Sequence, residues 1–496
     1  MRPHVPGRDS EFNPAFSPAG AADGGATVAP HGKLLTWPVV AWGLWDWGSA
    51  AFNAVITTFV FSVYLTSSDF GDPTANQSAL SVGLTIAGAC IALLAPVTGQ
   101  RSDRAGRSVF WLGAYTAVVV AVSAAMYFVL PEPGYLWLGV TLLGVGNVFF
   151  ELASVNYNGL LARLATKDRV GAVSGLGWGM GYLGGIVLLL ILYVGFINPE
   201  VGWFGVTDDN RLDIRVSMLV SAGWFGLCAI PVLVTQSGKR AWRRWAAIEE
   251  AEGDDARALA GLENEPTDPI QAPPRIMRHE SLAASYRHLW RTLVGLYRTH
   301  PEVLWFLLAA AVFRDGLAGV FTYGGIIAQN TFGFSSGDVI VFAVAANVVA
   351  GVATIAAGRL DDLLGPRRVI LGALVVLVGA GTAVFFLHSA GARIFWVLGL
   401  VLSGCVGPAQ SAARSYLARL APQGREGEIF GLYATTGRAV SFMAPAMYGA
   451  SIWVGTRVVG GGAGYWGILG IVAVLGVGLL LMLRVKDPLG RITVVE

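Results

Sequence analysis

The sequence predicts an all-α integral membrane protein in which twelve crossing helices form two similar six-helix halves. Three observations carry that reading. Of the 496 residues, 54% are hydrophobic and only 13% charged, with 65 glycines, whereas soluble domains carry about 25% charged residues. The chain also holds twelve runs long enough to cross a hydrocarbon layer, which takes about 20 apolar residues each. Finally, a stretch of the first half returns in the second at one constant offset. Leu161-Ala162-Arg163-Leu164-Ala165 is answered by Leu417-Ala418-Arg419-Leu420-Ala421, and Arg169, Gly171, Gly175 and Leu176 by Arg425, Gly427, Gly431 and Leu432. A long repeat inside apolar segments means two related halves in a membrane.

Taken in order, residues 1–36 read as a disordered cytoplasmic tail, rich in Pro, Gly, Ala and Ser, without an apolar core of signal-peptide type. Spans follow at 39–66, 79–99, 109–130, 135–160, 172–197, 213–235, 302–328, 338–358, 368–388, 393–417, 429–453 and 464–484. They group as an N-terminal bundle over 37–235 and a C-terminal bundle over 302–486, joined by a cytoplasmic linker at 236–301 and closed by a tail at 487–496. The linker opens with Lys239-Arg240-Ala241-Trp242-Arg243-Arg244-Trp245. It reads either as amphipathic helices on an anionic leaflet or as a solvated connection with snorkelling arginines. Lys and Arg collect after the even-numbered spans, as Arg101, Arg104 and Arg107, then Arg163, Lys167 and Arg169, then Arg359, Arg367 and Arg368, then Arg419 and Arg425. These loops and both termini are therefore expected on the cytoplasmic side of the cell (inner) membrane.

Composition also excludes. A net charge of +2 spread between apolar runs offers no nucleic-acid patch. Cys90, Cys228 and Cys405 sit in apolar segments without metal spacing, and the six histidines are scattered. With no placed nucleophile and no Gly-Lys-Ser/Thr phosphate loop, neither a cofactor, a metal nor ATP-driven chemistry is expected.

Gly99, Asp103 and Gly106 after the second span are matched in spacing by Gly358, Asp362 and Gly365 after the eighth, with Arg104 and Arg107 or Arg367 close by. The glycines permit tight turns at helix ends. The aspartate can accept charge-assisted bonds from arginine and cap a neighbouring helix, a latch that breaks when the halves tilt. Positive loops alone explain the arginines but not the repeated Gly-Asp-Gly spacing. That spacing resembles the loop signature of the major facilitator superfamily. Trp45-Asp46-Trp47-Gly48-Ser49-Ala50-Ala51-Phe52, Tyr157-Asn158-Gly159-Leu160-Leu161 and Phe430-Gly431-Leu432-Tyr433 are similar to one branch. It is a bacterial family of "unknown major facilitators" whose fungal, autophagy-related relatives are vacuolar amino-acid effluxers. The resemblance runs from Trp37 to Lys486 and implies the major facilitator fold, with spans 1, 4, 7 and 10 lining a central cavity. Ser49 stands where that family commonly has Asn, and Asn53 adds an amide elsewhere.

Candidate site residues follow from helical spacing. Asn147, Glu151, Ser154 and Asn158 share one face of the fourth span, answered in the tenth by Ser403, Gly407, Gln410 and Arg414. Asp46, Ser49 and Asn53 share a face of the first span with Trp42 and Trp45. Asp46 reads either as a protonatable or amine-binding carboxylate, or as an interfacial anchor in an aromatic belt of Trp37, Trp42, Trp45 and Trp47. The seventh span carries adjacent Arg314 and Asp315, then Tyr323. Adjacent helical residues point apart, so Asp315 is expected to meet Arg438 or Arg414, and Arg314 to meet Glu151 or Asp46; a static ion pair between the halves is the alternative. Glu151, deep in its span, is the expected proton-coupling group. The expectation is a secondary active transporter rather than an enzyme, moving a small-molecule substrate, an amino acid or similar zwitterion first among them. It would work by alternating access coupled to protons, as a monomer among membrane lipids. Two rivals stay open: an intramembrane enzyme using Asp46 and Glu151 on a lipid-linked substrate, and a non-transporting scaffold or sensor built on the basic linker.

Overall fold

The computed structural model describes residues 35–104, 107–166, 168–236, 301–421, 426–459 and 463–486, among which there is no strand. The linker helices expected between the halves, and the tails, fall outside the described residues. Hydrocarbon forces this all-helical solution, because a backbone crossing it must satisfy every N–H and C=O internally. The helices are α1 (Trp37–Leu65), α2 (Pro73–Arg104), α3 (Ser108–Ala125), α4 (Leu136–Gly159), α5 (Val170–Leu192), α6 (Leu212–Gln236), α7 (Pro301–Phe332), α8 (Ser336–Leu364), α9 (Pro366–Phe386), α10 (Ala392–Leu420), α11 (Glu426–Val440), α12 (Met443–Val459) and α13 (Gly467–Arg484). Among the described residues, eleven helices are long and apolar enough to cross a membrane, and α11 with α12 makes one further crossing, the eleventh in chain order.

That crossing corrects the sequence reading, which expected one continuous helix over 429–453. The break falls at Ser441 and Phe442, and Pro445 follows within the first turn of α12. Proline has no N–H to give the carbonyl four residues back and its ring collides with that carbonyl, yet a helix's first turn tolerates it. A second irregularity lies in α1, which widens to π-helical turns over Ala51–Phe59. There the hydroxyls of Thr57 and Thr58 donate to the carbonyls of Phe52 and Asn53 at 3.0 and 2.7 Å.

The halves meet where α5 crosses α8 and where α2 crosses α11. A Cβ on Gly175 would lie 2.7 Å from the Thr354 carbonyl oxygen and 2.9 Å from Gly358 Cα. On Gly431 it would lie 2.6 Å from the Ala95 carbonyl oxygen and 2.7 Å from Pro96 Cα. These two glycines are repeat equivalents, so one backbone-to-backbone approach is used twice to bring the halves together. Within the N-terminal half, aromatic rings fill the interior: Trp45 stacks on Tyr157 at 4.2 Å and on Phe150 at 6.0 Å, with Phe225 edge-on at 5.5 Å.

Candidate functional site

A cavity of about 1280 Å3 lies between the halves. Its lining runs from Thr58 and Phe59 near the end of α1, Gln329 near the end of α7 and Ile340 near the start of α8 down to Asp46, Asn158 and Arg414. It therefore opens on the face away from the arginine-rich loops.

Arg414 of α10 closes the floor. Its Nη1 donates to Asp46 Oδ2 at 3.1 Å and to Asn158 Oδ1 at 3.3 Å, while Nη2 reaches the Ser174 carbonyl at 2.7 Å and Nε the Ser174 hydroxyl at 3.0 Å. One guanidinium of the C-terminal half thus ties together α1, α4 and α5 of the N-terminal half. Beneath it, Trp42 stacks on Tyr157 at 4.5 Å, and each donates to the other's backbone carbonyl at 3.1 Å. The guanidinium sits 4.8 Å above the Trp42 ring, a position that adds cation–π attraction. Trp42 and Trp45 are therefore buried in the floor rather than in an interfacial belt; only Trp37 of that group is largely exposed, at 61%. Ser49 lines the cavity and donates to the Asp46 carbonyl at 3.0 Å, and Asn53 and Gln410 also line it.

A second cross-half pair stands beside this one. Arg438 Nη2 donates to Glu151 Oε1 at 2.6 Å and to Asn147 Oδ1 at 3.3 Å. Its side chains are 31% and 25% exposed, against 5% and 16% for Arg414 and Asp46. The Arg414 pair is the drier one, and stripping one partner from such a pair costs about 3–5 kcal/mol. The Glu151 pair is wet enough to exchange partners at lower cost.

The pairings expected for α7 are corrected. Arg314 meets neither Glu151 nor Asp46: its guanidinium lies 4.0 Å over the Tyr433 ring, with Nη1 3.5 Å from the Tyr433 carbonyl, and it lines the cavity. Asp315 meets neither Arg438 nor Arg414. It is buried and accepts the Ala444 N–H at 2.6 Å, capping α12. The reason is the break: a helix that restarts inside the membrane exposes unsatisfied N–H groups and a partial positive charge, and the nearest carboxylate takes them. Tyr323 likewise faces α12, stacked on Tyr448 at 3.9 Å, and neither it nor Asp315 lines the cavity.

The arginine-rich face is sealed at two repeat-related places. Asp103 Oδ2 accepts the N–H of Glu428 at the start of α11, at 2.9 Å, and Gly99 lies against Gly427. Asp362 accepts the N–H groups of Gly171 and Ala172 at the start of α5, at 2.7 and 2.8 Å, and Gly358 packs on the same turn. Arg367, expected to serve Asp362, does not. It instead donates to the carbonyls of Val485 and Leu483 at 2.7 and 3.1 Å, at the end of α13 where the dipole favours a cation. Arg107 is exposed at the start of α3, Gly365 takes a left-handed turn at φ 86° between α8 and α9, and Gly106 and the Arg104 side chain are outside the described residues. The arginine that does serve is Arg419, whose Nη1 and Nη2 reach Asp361 and Asp362 at 2.5 and 2.7 Å, with the Ser415 hydroxyl also on Asp361. Arg163, its repeat equivalent, pairs with Glu426 at 3.3 Å. Arg419, Asp361, Arg163, Glu426 and Ser174 were not singled out as site residues; the Leu-Ala-Arg-Leu-Ala repeat was the signal that marks both arginines.

The family described as vacuole effluxer Atg22-like matches residues 68–487. The chain belongs to this family. It is also 25% identical over 419 residues to the uncharacterized MFS-type transporter YxiO of Bacillus subtilis, covering 84% of this chain and 88% of that one. Autophagy-related protein 22-1 of Neosartorya fischeri is 24% identical over 56% of this chain and 42% of its own length, so the match spans less than half of the fungal protein. Among solved structures, the proton:xylose symporter XylE superposes with a TM-score of 0.65 at 16% identity, covering 91% of this chain and 95% of that one. The fold is thus the twelve-helix major facilitator fold and the chain is a multi-pass membrane protein of a transporter family.

Proposed function

We propose that this Atg22-like chain is a secondary active transporter that moves a small polar solute by alternating access, with an amino acid or similar zwitterion as the leading class. The observation that carries the reading is the pair of cross-half contacts, Arg414 with Asp46 and Arg438 with Glu151, at the bottom of a cavity closed on one face and open on the other. Charged groups inside a membrane are costly and mark solute or ion pathways, and here both pairs must part or re-form when the halves rock. Arg314 is the cation at hand for a solute carboxylate, while Glu151 and Asp46 offer charge to an amine once an arginine is displaced. Glu151, in the wetter pair, is the coupling group: protonation releases Arg438, and the re-formed pair expels the proton. The arginine-rich loops support a cytoplasmic closed face, with both termini on that side in a cell membrane, and the chain works as a monomer.

Counterflow into proteoliposomes preloaded with a panel of amino acids, with and without an imposed pH gradient, tests this. The proposal expects exchange of at least one solute and accumulation driven by the gradient. In Glu151→Gln, exchange persists while gradient-driven accumulation is lost; unchanged accumulation in that variant overturns the coupling assignment, and no exchange of any solute overturns the carrier reading.

A further inference from the structure

The Glu151–Arg438 pair has a counterpart across the cavity that carries no charge. At the constant offset of the repeat, Tyr182 of α5 is the equivalent of Arg438, and Gly407 of α10 is the equivalent of Glu151. Repeats of this kind are related by an axis along the membrane normal, so equivalent positions stand on opposite walls at one depth. On the first wall a guanidinium meets a carboxylate at 2.6 Å. On the second the carboxylate position is a glycine, and a phenol stands in place of the guanidinium.

The ring of Tyr182 is held by the C-terminal half. It lies 6.3 Å from the Phe321 ring of α7. A Cβ on Gly407 would come within 3.1 Å of Tyr182 Cε2, and one on Gly351 of α8 within 3.4 Å of Tyr182 Cβ. Its polar end is unspent: Tyr182 lines the cavity, and its hydroxyl has no hydrogen-bond partner among the described residues. Gln410 also lines the cavity, three residues after Gly407 and so on the same side of α10. Its amide has no partner among the described residues either. Arg414, one turn further along α10, is already committed to Asp46, Asn158 and Ser174. This wall therefore offers the solute hydrogen bonds without a free charge.

We propose that Tyr182 and Gln410 bind an uncharged hydrogen-bonding group of the transported solute, which makes Tyr182 a specificity-determining residue and a hydroxyl or carboxamide the preferred side-chain chemistry. The inference rests on the transport reading above and narrows its solute. A solute entering the cavity strips water from the phenol and the amide. A polar side chain replaces those bonds, whereas an apolar side chain of the same shape leaves both groups unpaired and is rejected.

Counterflow is measured on the full chain in proteoliposomes with two pairs of near-isosteric probes, threonine with valine and asparagine with leucine. Threonine and asparagine are expected to half-saturate exchange at concentrations at least about tenfold below those of valine and leucine. Tyr182→Phe keeps the ring and removes the hydroxyl. It should narrow that preference to about threefold or less by raising the half-saturating concentrations of threonine and asparagine alone, with maximal rates retained. A phenol that only packs the seam would instead shift all four probes alike. Equal half-saturation within each pair, an equal shift of all four in Tyr182→Phe, or no shift at all overturns the proposal. Should Tyr182→Phe fail to fold, Gln410→Met carries the same test, and the native pairs decide regardless. Exchange of other amino acids but of none of these four removes the specificity assignment and leaves the carrier reading standing; exchange of no solute removes both.

Discussion

Asp362 at the start of α5 and Asp103 at the start of α11 hold repeat-equivalent turns in unlike surroundings. Asp362 takes two N–H groups and a nearly buried arginine, Arg419, that also grips Asp361. Asp103 takes the Glu428 N–H. Position 361 has Ser102 as its loop counterpart, hydrogen-bonded at 2.5 Å to Asn156, and Arg163 has moved to Glu426 with 28% of its side chain exposed. Duplication kept the backbone cap on both sides but changed the charges around it: Arg419 sits on Asp361 and Asp362 at the α5 seam, whereas Arg163 sits on Glu426 at the α11 seam. Among the described contacts the α5 seam therefore bonds its arginine directly to the capping aspartate and the α11 seam does not, which sets the order in which they should yield.

Arg419→Ala should do the most harm, because it leaves buried Asp361 and its half-buried neighbour Asp362 without their cation; a loss of about 3–5 kcal/mol is expected, read as unfolding by circular dichroism while SDS is titrated into mixed micelles. Asp362→Asn should cost about 1–2 kcal/mol in the same titration, since one amide oxygen replaces a carboxylate that served two N–H groups. Asp103→Asn disturbs a carboxylate that serves the Glu428 and Gly427 N–H groups but has no arginine bonded directly to it among the described residues, and should cost about 1 kcal/mol. Arg163→Ala should be the mildest, at about 0–1 kcal/mol for a partly solvated pair. If Asp103→Asn proved as costly as Arg419→Ala, the two seams would be equals and the comparison would fail.

The helices were legible because membrane crossing imposes length and apolarity on every span, and the repeated glycines were legible because they recur at one offset. The break in the eleventh crossing was missed although Pro445 announces it, since hydropathy runs straight through Ser441 and Phe442. At the site, helical spacing put Glu151, Asn158 and Arg414 on the right faces, but facing positions do not say how far each helix is rotated against its neighbours. Arg314 and Asp315 were therefore matched to the wrong partners. Asp315 was further hidden because its partner is a backbone N–H, which exists only once the helix is broken. Arg419 was in view as part of a repeat, yet nothing in one dimension shows that it outcompetes Arg367 for Asp362.

The central claim is that this shape is one of two that the halves exchange by rocking. Spin labels at exposed Asp168 and Leu363 report across the arginine-rich face, and labels at exposed Phe128 and Phe386 across the opposite face. Pulsed electron–electron distance measurements in nanodiscs, with and without a solute that supports counterflow, should reveal a second population on solute addition. In it the 168–363 distance lengthens and the 128–386 distance shortens. Two distances that stay fixed, or that change in the same direction, would contradict the account.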